Sequence, residues 1–123
     1  EIGTLASPIK NVQENEDINI VKVDLEQKLK NNSFLIARNF FRKKDDLEIQ
    51  NLYHHIGIYA FTNNALIKYI NLPRSRLEIE RNLEQMRALQ NNIKIGVSLS
   101  NSCPLGVDTE SDLVKVTKEM NLQ

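Results

Sequence analysis

Six consecutive residues, Ile56-Gly57-Ile58-Tyr59-Ala60-Phe61, carry almost no polar character, and Thr62 follows them at once. Such a run is expected to be a strand covered on both faces, and to be the central strand of a sheet. Thr62 is suited to cap a helix over residues 63–70, with Leu66, Tyr69 and Ile70 on one side, and Leu72-Pro73 stops that helix. A doubly covered strand feeding directly into a helix requires layers on both sides, so the chain reads as α/β.

The flanking segments fit that class. Residues 2–9 start as a strand, and Pro8, which has no N–H to give to a ladder, belongs at its end or edge. A short polar stretch, Asn11 to Asn19, follows. Residues 20–25 alternate apolar with polar and read as a half-buried strand, residues 33–37 read as the next, and Lys30-Asn31-Asn32 suggests a hairpin turn between them. Arg42-Lys43-Lys44-Asp45-Asp46 reads as a solvated charged loop.

Ser75 and Glu78 form an S-x-x-E capping box, and Ile79, Leu83, Met86 and Leu89 recur at helical spacing, which predicts one helix running to about Gln90. Residues 93–99 alternate as a strand. Thr109 and Asp112 open a last helix carrying Leu113, Val116 and Met120. Strand–helix–strand order implies a parallel portion, and the early hairpin an antiparallel edge. The first strand begins with no cap or linker before it, so the whole reads as part of a larger α/β fold.

Composition narrows the partners. Sixteen Lys+Arg balance 16 Asp+Glu, so no net field draws the chain to nucleic acid or to an anionic membrane. Cys103 is the one cysteine, which rules out an internal disulfide and a cysteine zinc set and fits a reducing cytoplasm. No apolar run approaches the roughly 20 residues that span a bilayer, and the first residues lack a signal-peptide pattern. A cytoplasmic protein, not inserted in a membrane, is expected.

Several residues stand where chemistry is possible. His54 and His55 enter the apolar strand and face opposite sides, and an imidazole at a strand end can contact a ligand in a cleft or simply be a hydrogen-bonded core group. Gly57 marks a close approach or a bulge, and Tyr59 shares the His55 face. Glu84 and Gln85 lie just off the apolar stripe of their helix, where a solvated pair between Glu84 and Arg87 is the ordinary alternative. Asp108 precedes a helix N-terminus and is either a favourable end charge or a ligand for Mg²⁺.

The motifs His55-Ile56-Gly57-Ile58-Tyr59, Leu83-Glu84-Gln85-Met86-Arg87 and Gly106-Val107-Asp108-Thr109, in that order, resemble those of the 3-deoxy-manno-octulosonate cytidylyltransferases (CMP-Kdo synthetases). The family patterns are H-[IL]-G-I-Y, L-E-Q-L-R and G-V-D-T, and here only the second Leu of L-E-Q-L-R has become Met86. Thr4-Leu5-Ala6-Ser7-Pro8-Ile9 is also similar to the family's T-L-x-x-P-I.

The resemblance implies the C-terminal part of a nucleotide-diphospho-sugar transferase-like (Rossmann-like) mixed sheet flanked by helices, with an antiparallel hairpin for dimerisation. It implies a single domain over residues 1–123, the sugar-binding half, with the CTP-binding half absent, since nothing matches the family's A-R-x-x-S-x-R-L-P-G-K-P-L loop. His55, Tyr59, Glu84 and Gln85 are implied to contact the sugar. Arg38 is implied to meet its carboxylate through a bidentate guanidinium, although Ala37 and Asn39-Phe40-Phe41 depart from the family's S-R-x-x-I-P.

Asp108 is implied to bind Mg²⁺ with a second carboxylate from a Q-G-D-E-P loop that this sequence lacks. The complete enzyme is expected to transfer CMP from CTP to Kdo, releasing pyrophosphate, for lipopolysaccharide synthesis, and the chain alone to be inactive. A homodimer is expected through the hairpin and Phe40-Phe41. The rivals are a non-catalytic oligomerisation module and a cytidylyltransferase for a related acidic sugar, sialic acid or the 8-amino analogue of Kdo.

Overall fold

A computed structural model describes residues 1–26, 34–43 and 52–121. In chain order the elements are β1 (Ile2–Pro8), α1 (Val12–Glu16), β2 (Lys22–Glu26), β3 (Leu35–Phe41), β4 (Leu52–Phe61), α2 (Asn63–Ile70), α3 (Arg76–Arg81), α4 (Gln85–Gln90), β5 (Ile95–Leu99) and α5 (Glu110–Asn121). The charged stretch beyond Lys43 and the turn Lys30-Asn31-Asn32 lie outside the described residues.

The mixed α/β class holds. The five strands hydrogen-bond in the order β1-β4-β2-β3-β5, and β5 returns to β1, closing the sheet on itself. β2 and β3 form the expected antiparallel pair, with Lys22 opposite Phe41 and Glu26 opposite Ile36. Among the described residues the one parallel pair is β1 with β5, Ile2 beside Ile95. Because β4 runs antiparallel to β1, β4 and β5 are themselves antiparallel. The helical crossover between them is therefore not the source of the parallel portion, which is made by β1 lying between the two.

Pro8 ends β1, as its missing donor requires, yet β1 is no edge strand, since it pairs with β4 on one side and β5 on the other. β4 corrects the expectation of a doubly covered central strand. β2 reaches only its first residues, Leu52 to His54, so residues 56–61 have a ladder neighbour on one side alone, and Ile58 is 60% exposed.

The core gathers inside the ring and under α3 and α4: Ile2, Ala6, Val23, Leu25, Phe40, Leu83, Met86, Ile93, Ile95 and Val97 are all buried. Each large aliphatic or aromatic side chain withdrawn from water contributes about 1.5–3 kcal/mol. Phe40 and Phe41 belong to this interior, 0% and 8% exposed, so the aromatic pair offers no dimerising surface. β2 is not half-buried either. Lys22 is fully buried, and its ammonium is satisfied by donating to the carbonyls of Asp17 and Arg42, which is how a buried charge is tolerated. Burial lowers its pKa.

Capping chemistry sets the helix starts. Thr62 Oγ1 accepts from Ala65 N at 3.3 Å, Ser75 and Glu78 complete their capping box, and Thr109 with Asp112 does the same for α5 through Asp112 N to Thr109 Oγ1 at 3.2 Å and Thr109 N to Asp112 Oδ2 at 3.1 Å. The single helix expected from Ser75 to Gln90 is two. Asn82 takes a left-handed conformation at φ 52° and ends α3, so the chain turns and Arg87 returns to Glu78. The turn also rotates Ile79 outward, 58% exposed, while Glu78 goes inside.

The polar stretch after β1 contains the short helix α1, which apolar periodicity does not announce. Asn11 caps it, its side chain accepting from Glu14 N at 2.8 Å, while Lys10 N donates to Glu14. Among the described residues no helix is long and apolar enough to cross a membrane.

Candidate functional site

β1 and β4 build the site together. Their register jumps so that Thr4 faces Tyr59 while Leu5 faces Ile56, leaving Gly57 and Ile58 as extra residues in a bulge. Thr4 fills that irregularity. Its hydroxyl lies 2.8 Å from Ile58 O and 3.2 Å from Ile56 O, and 2.9 Å from His55 Nε2. The single hydroxyl proton goes to the carbonyls, so His55 Nε2 must carry the hydrogen and donate to Thr4 Oγ1. Nδ1 is then the acceptor nitrogen of a neutral ring. Gly57 is the bulge glycine, and a Cβ there would meet nothing within 4 Å.

His55 is 7% exposed, and burial, helped by the neighbouring His54, lowers its pKa to about 4. It is uncharged at neutral pH. Its ring starts an aromatic ladder: Phe40 edge-on at 5.0 Å, Tyr59 at 5.4 Å, then Tyr59 to Phe61 at 6.3 Å and Phe61 to Tyr69 at 5.7 Å between centroids. Arg87 lies over the Tyr69 ring at 4.8 Å. The Tyr69 hydroxyl donates to Glu84 O at 3.1 Å.

That last bond brings the second motif to the first. Tyr59's phenol is raised well above its ordinary pKa by burial, then by Tyr69 and by the Glu84 carboxylate, so it stays a neutral donor. Glu84 is exposed, and its side chain caps nothing. Gln85 opens α4 and is partly exposed. The ordinary alternative, a solvated pair between Glu84 and Arg87, is not among the described contacts, and Arg87 bonds the buried carboxylate of Glu78 instead.

The other two candidates stand apart. Arg38 follows Ala37 in β3, where the register with β2 slips between Asp24 and Leu25, and its guanidinium donates to Asp24 Oδ1 at 3.0 Å. Asp108 is exposed in the loop before α5, where its backbone N–H donates to Asp112. No described hydrogen bond or ring contact joins either to the His55 ladder. His54 faces the other way, as alternation requires, and pairs with Glu14.

Two contributors escape a reading of the sequence. Thr4 sits in the T-L-x-x-P-I segment, but only the strand register places it on His55. Tyr69 reads as one more apolar helix residue, and its polar bond depends on the break at Asn82, which sequence spacing does not show.

The resemblance carried by the three motifs is borne out by comparison with known proteins. The model of the cytidylyltransferase family matches residues 1–95. The 3-deoxy-manno-octulosonate cytidylyltransferase of Bartonella tribocorum is 43% identical over 118 residues, which are 96% of this chain and 48% of that protein. The protein of the same name from Brucella anthropi is 40% identical over 113 residues, covering 92% of this chain and 45% of the relative. A solved CMP:2-keto-3-deoxy-manno-octonic acid synthetase, complexed with CTP, matches with a TM-score of 0.78 at 29% identity, over 98% of this chain and 49% of that one. The chain thus spans about half the length of the relatives it matches. Sequence and backbone agree, and the chain belongs to the cytidylyltransferase family.

Proposed function

We propose that this chain provides the sugar-binding part of an enzyme that transfers CMP from CTP to Kdo and releases pyrophosphate. The observation that supports it most directly is the run of side chains from His55 through Tyr59, Phe61 and Tyr69, joined by ring contacts and tied by the Tyr69 hydroxyl to the backbone carbonyl of Glu84. A polyhydroxylated sugar needs an apolar surface flanked by mixed donors and acceptors. Neutral His55 accepts from a hydroxyl through Nδ1, Tyr59 donates, the Glu84 carboxylate accepts, and the Gln85 amide does both. An uncharged His55 suits hydroxyls better than the sugar's carboxylate.

The carboxylate is left to Arg38. One of its N–H groups is engaged by Asp24, and the guanidinium has five, so a fork remains for the acid. Among the described residues no group of three or more His, Cys, Asp or Glu could hold a metal. Asp108 therefore fits Mg²⁺ only as a single carboxylate, with nucleotide phosphates and water completing the shell. When bound, that ion would neutralise phosphate charge. The setting is the cytoplasm.

Self-association through the β2–β3 hairpin is part of the same reading. With Phe40 and Phe41 buried, it rests on Phe34, 56% exposed just before β3. A non-catalytic module, which would rest on the hairpin and an apolar sheet edge, is less well supported, because the described strands close the sheet on itself.

Titrating Kdo into the ¹⁵N-labelled 123-residue protein tests the proposal. Saturable shifts at the Tyr59, Glu84 and Gln85 amides are expected, and a spectrum unmoved at millimolar Kdo would count against it.

A further inference from the structure

β3 carries one residue more than its partner strand opposes. Asp24 faces Asn39 while Leu25 faces Ala37, so Arg38 has no partner across the β2–β3 ladder and is the extra residue of a bulge. Bulges re-aim the side chains they carry, and here Arg38 is exposed between buried Ala37 and half-buried Asn39. From β2, Asp24 Oδ1 accepts from its guanidinium at 3.0 Å. One such bond on a side chain 53% exposed sets its direction only weakly.

The backbone beyond the bulge is held from another element. Arg81, the last residue of α3, donates through Nη1 to Asn39 Oδ1 at 2.6 Å and to Phe40 O at 2.7 Å, and Asn39 Oδ1 also accepts from the Phe40 N–H at 3.0 Å. The two residues after Arg38 are thereby gathered on one cation. Among the described hydrogen bonds, the two from Arg81 are the ones that join β3 to the α3–α4 segment. Arg81 is followed by the left-handed Asn82, then by Leu83, Glu84 and Gln85. One side chain therefore bridges the strand of Arg38 and the turn that leads to Glu84 and Gln85. It also fixes the backbone of Phe40, whose ring meets His55 edge-on at 5.0 Å.

We infer that Arg81 is a positioning residue, which sets the span between the carboxylate-binding and hydroxyl-binding ends of the sugar site. This role rests on the sugar-binding reading given above. An acidic sugar held by its carboxylate at Arg38 and by its hydroxyls at Glu84 and Gln85 is bound at two points, and two-point binding depends on a fixed separation between them. Arg81 acts on Arg38 through Asn39 and Phe40, from the same short segment that carries Glu84 and Gln85. Without it, the bulge and the α3–α4 turn lose their direct tie, and the guanidinium is no longer held where the carboxylate arrives. Both bonds leave a single nitrogen, so a lysine ammonium can replace them, which it could not do for a planar fork.

The test compares Kdo with its uncharged methyl ester, each titrated into the ¹⁵N-labelled 123-residue chain. The parent is expected to bind Kdo about tenfold more tightly than the ester, the difference made by Arg38 on the carboxylate. Arg81→Ala should weaken Kdo by about tenfold, down to the level of the ester, while the ester itself changes by less than about twofold. Arg81→Lys should recover most of the preference. Asn39→Ala removes one of the two acceptors and should give a smaller loss in the same direction, which keeps the test decisive if Arg81→Ala does not fold. A merely structural role would weaken both ligands alike, and that result would overturn the positioning role, as would a folded Arg81→Ala that keeps the full preference for Kdo. A parent that binds Kdo and ester equally would overturn the Arg38 assignment and this role with it, whereas a parent that binds neither would overturn the sugar reading itself.

Discussion

Arg87 clasps Glu78 with two donors, Nε to Oε2 at 2.8 Å and Nη2 to Oε1 at 2.5 Å, around a carboxylate that is 1% exposed. Arg74 and the Ser75 N–H add two more bonds to the same group. The pair fastens α4 to α3 across the break at Asn82 and thereby holds the segment that carries Glu84 and Gln85. It links the capping chemistry of one short helix to the placement of the candidate site.

Removing Arg87 leaves the buried Glu78 carboxylate with only the exposed Arg74 and the Ser75 N–H. Arg87→Ala is expected to cost about 3–5 kcal/mol, measured by urea unfolding, whereas Arg76→Ala, which breaks the exposed pair with Glu80, should cost well under 1 kcal/mol. Similar losses for both would show that the Glu78 cluster does not organise this corner. The Arg87 bonds, against the opposing effect of burial and helped by Ser75, hold Glu78 at a pKa of about 2, below its ordinary 4.5. A depressed carboxylate stabilises the fold above the unfolded value. This contribution should therefore fade as pH drops from about 4.5 toward 2.

His55 makes stability sensitive in a higher window. Its folded pKa of about 4 lies below the ordinary 6.5, so the unfolded chain takes up a proton that the folded chain refuses. Stability present above pH 6.5 should fall by up to about 3 kcal/mol as pH descends to 4. Urea midpoints for the parent and His55→Asn between those limits check it. The parent should lose stability more steeply, and parallel curves would refute the burial argument.

The parts of this architecture that local chemistry controls can be read from the residues. Thr62, Ser75 with Glu78, and Thr109 with Asp112 each announce a helix start, because a cap is satisfied within four residues and needs no distant partner. Burial is not local. The run Ile56 to Phe61 is apolar enough for a covered strand, but its cover depends on how far β2 extends, and β2 begins only at Lys22, opposite His54. Asn82 looks like any helical asparagine until Glu78 and Arg87 are seen to draw the chain back. Of the candidate site, the motifs identify His55, Tyr59 and Glu84. Thr4 and Tyr69, which position them, become visible only through strand register and a broken helix.

The exposed Phe34 just before β3 gives the dimer expectation a sharper form. A folded chain is expected to run as a dimer by light scattering at micromolar concentration, and Phe34→Ser, which removes the exposed ring, should shift it toward monomer without loss of helix signal. A monomeric parent would end the hairpin proposal.

The 123-residue chain alone is expected to make no measurable CMP-Kdo. Phosphoryl transfer depends on positioning and charge stabilisation around the phosphates, and the sequence has no match to the Gly-rich basic loop that would cradle them. Pyrophosphate release from CTP, Kdo and Mg²⁺ by the isolated chain would contradict this.

In a full-length protein containing these residues, Gln85 and Asp108 should fail in different ways, because one is assigned to the sugar and the other to the metal. Gln85→Ala leaves sugar hydroxyls unpaired and should cost about 1–3 kcal/mol, appearing as weaker Kdo use with CTP use little changed. Asp108 is exposed before α5, whose capping box is made by Thr109 and Asp112 without its carboxylate. Asp108→Asn should therefore spare the fold while lowering turnover and raising the Mg²⁺ requirement. Steady-state kinetics with Kdo, CTP and Mg²⁺ varied separately distinguish the two. An Asp108→Asn enzyme with unchanged Mg²⁺ dependence would return that carboxylate to the ordinary role of a charge near a helix N-terminus.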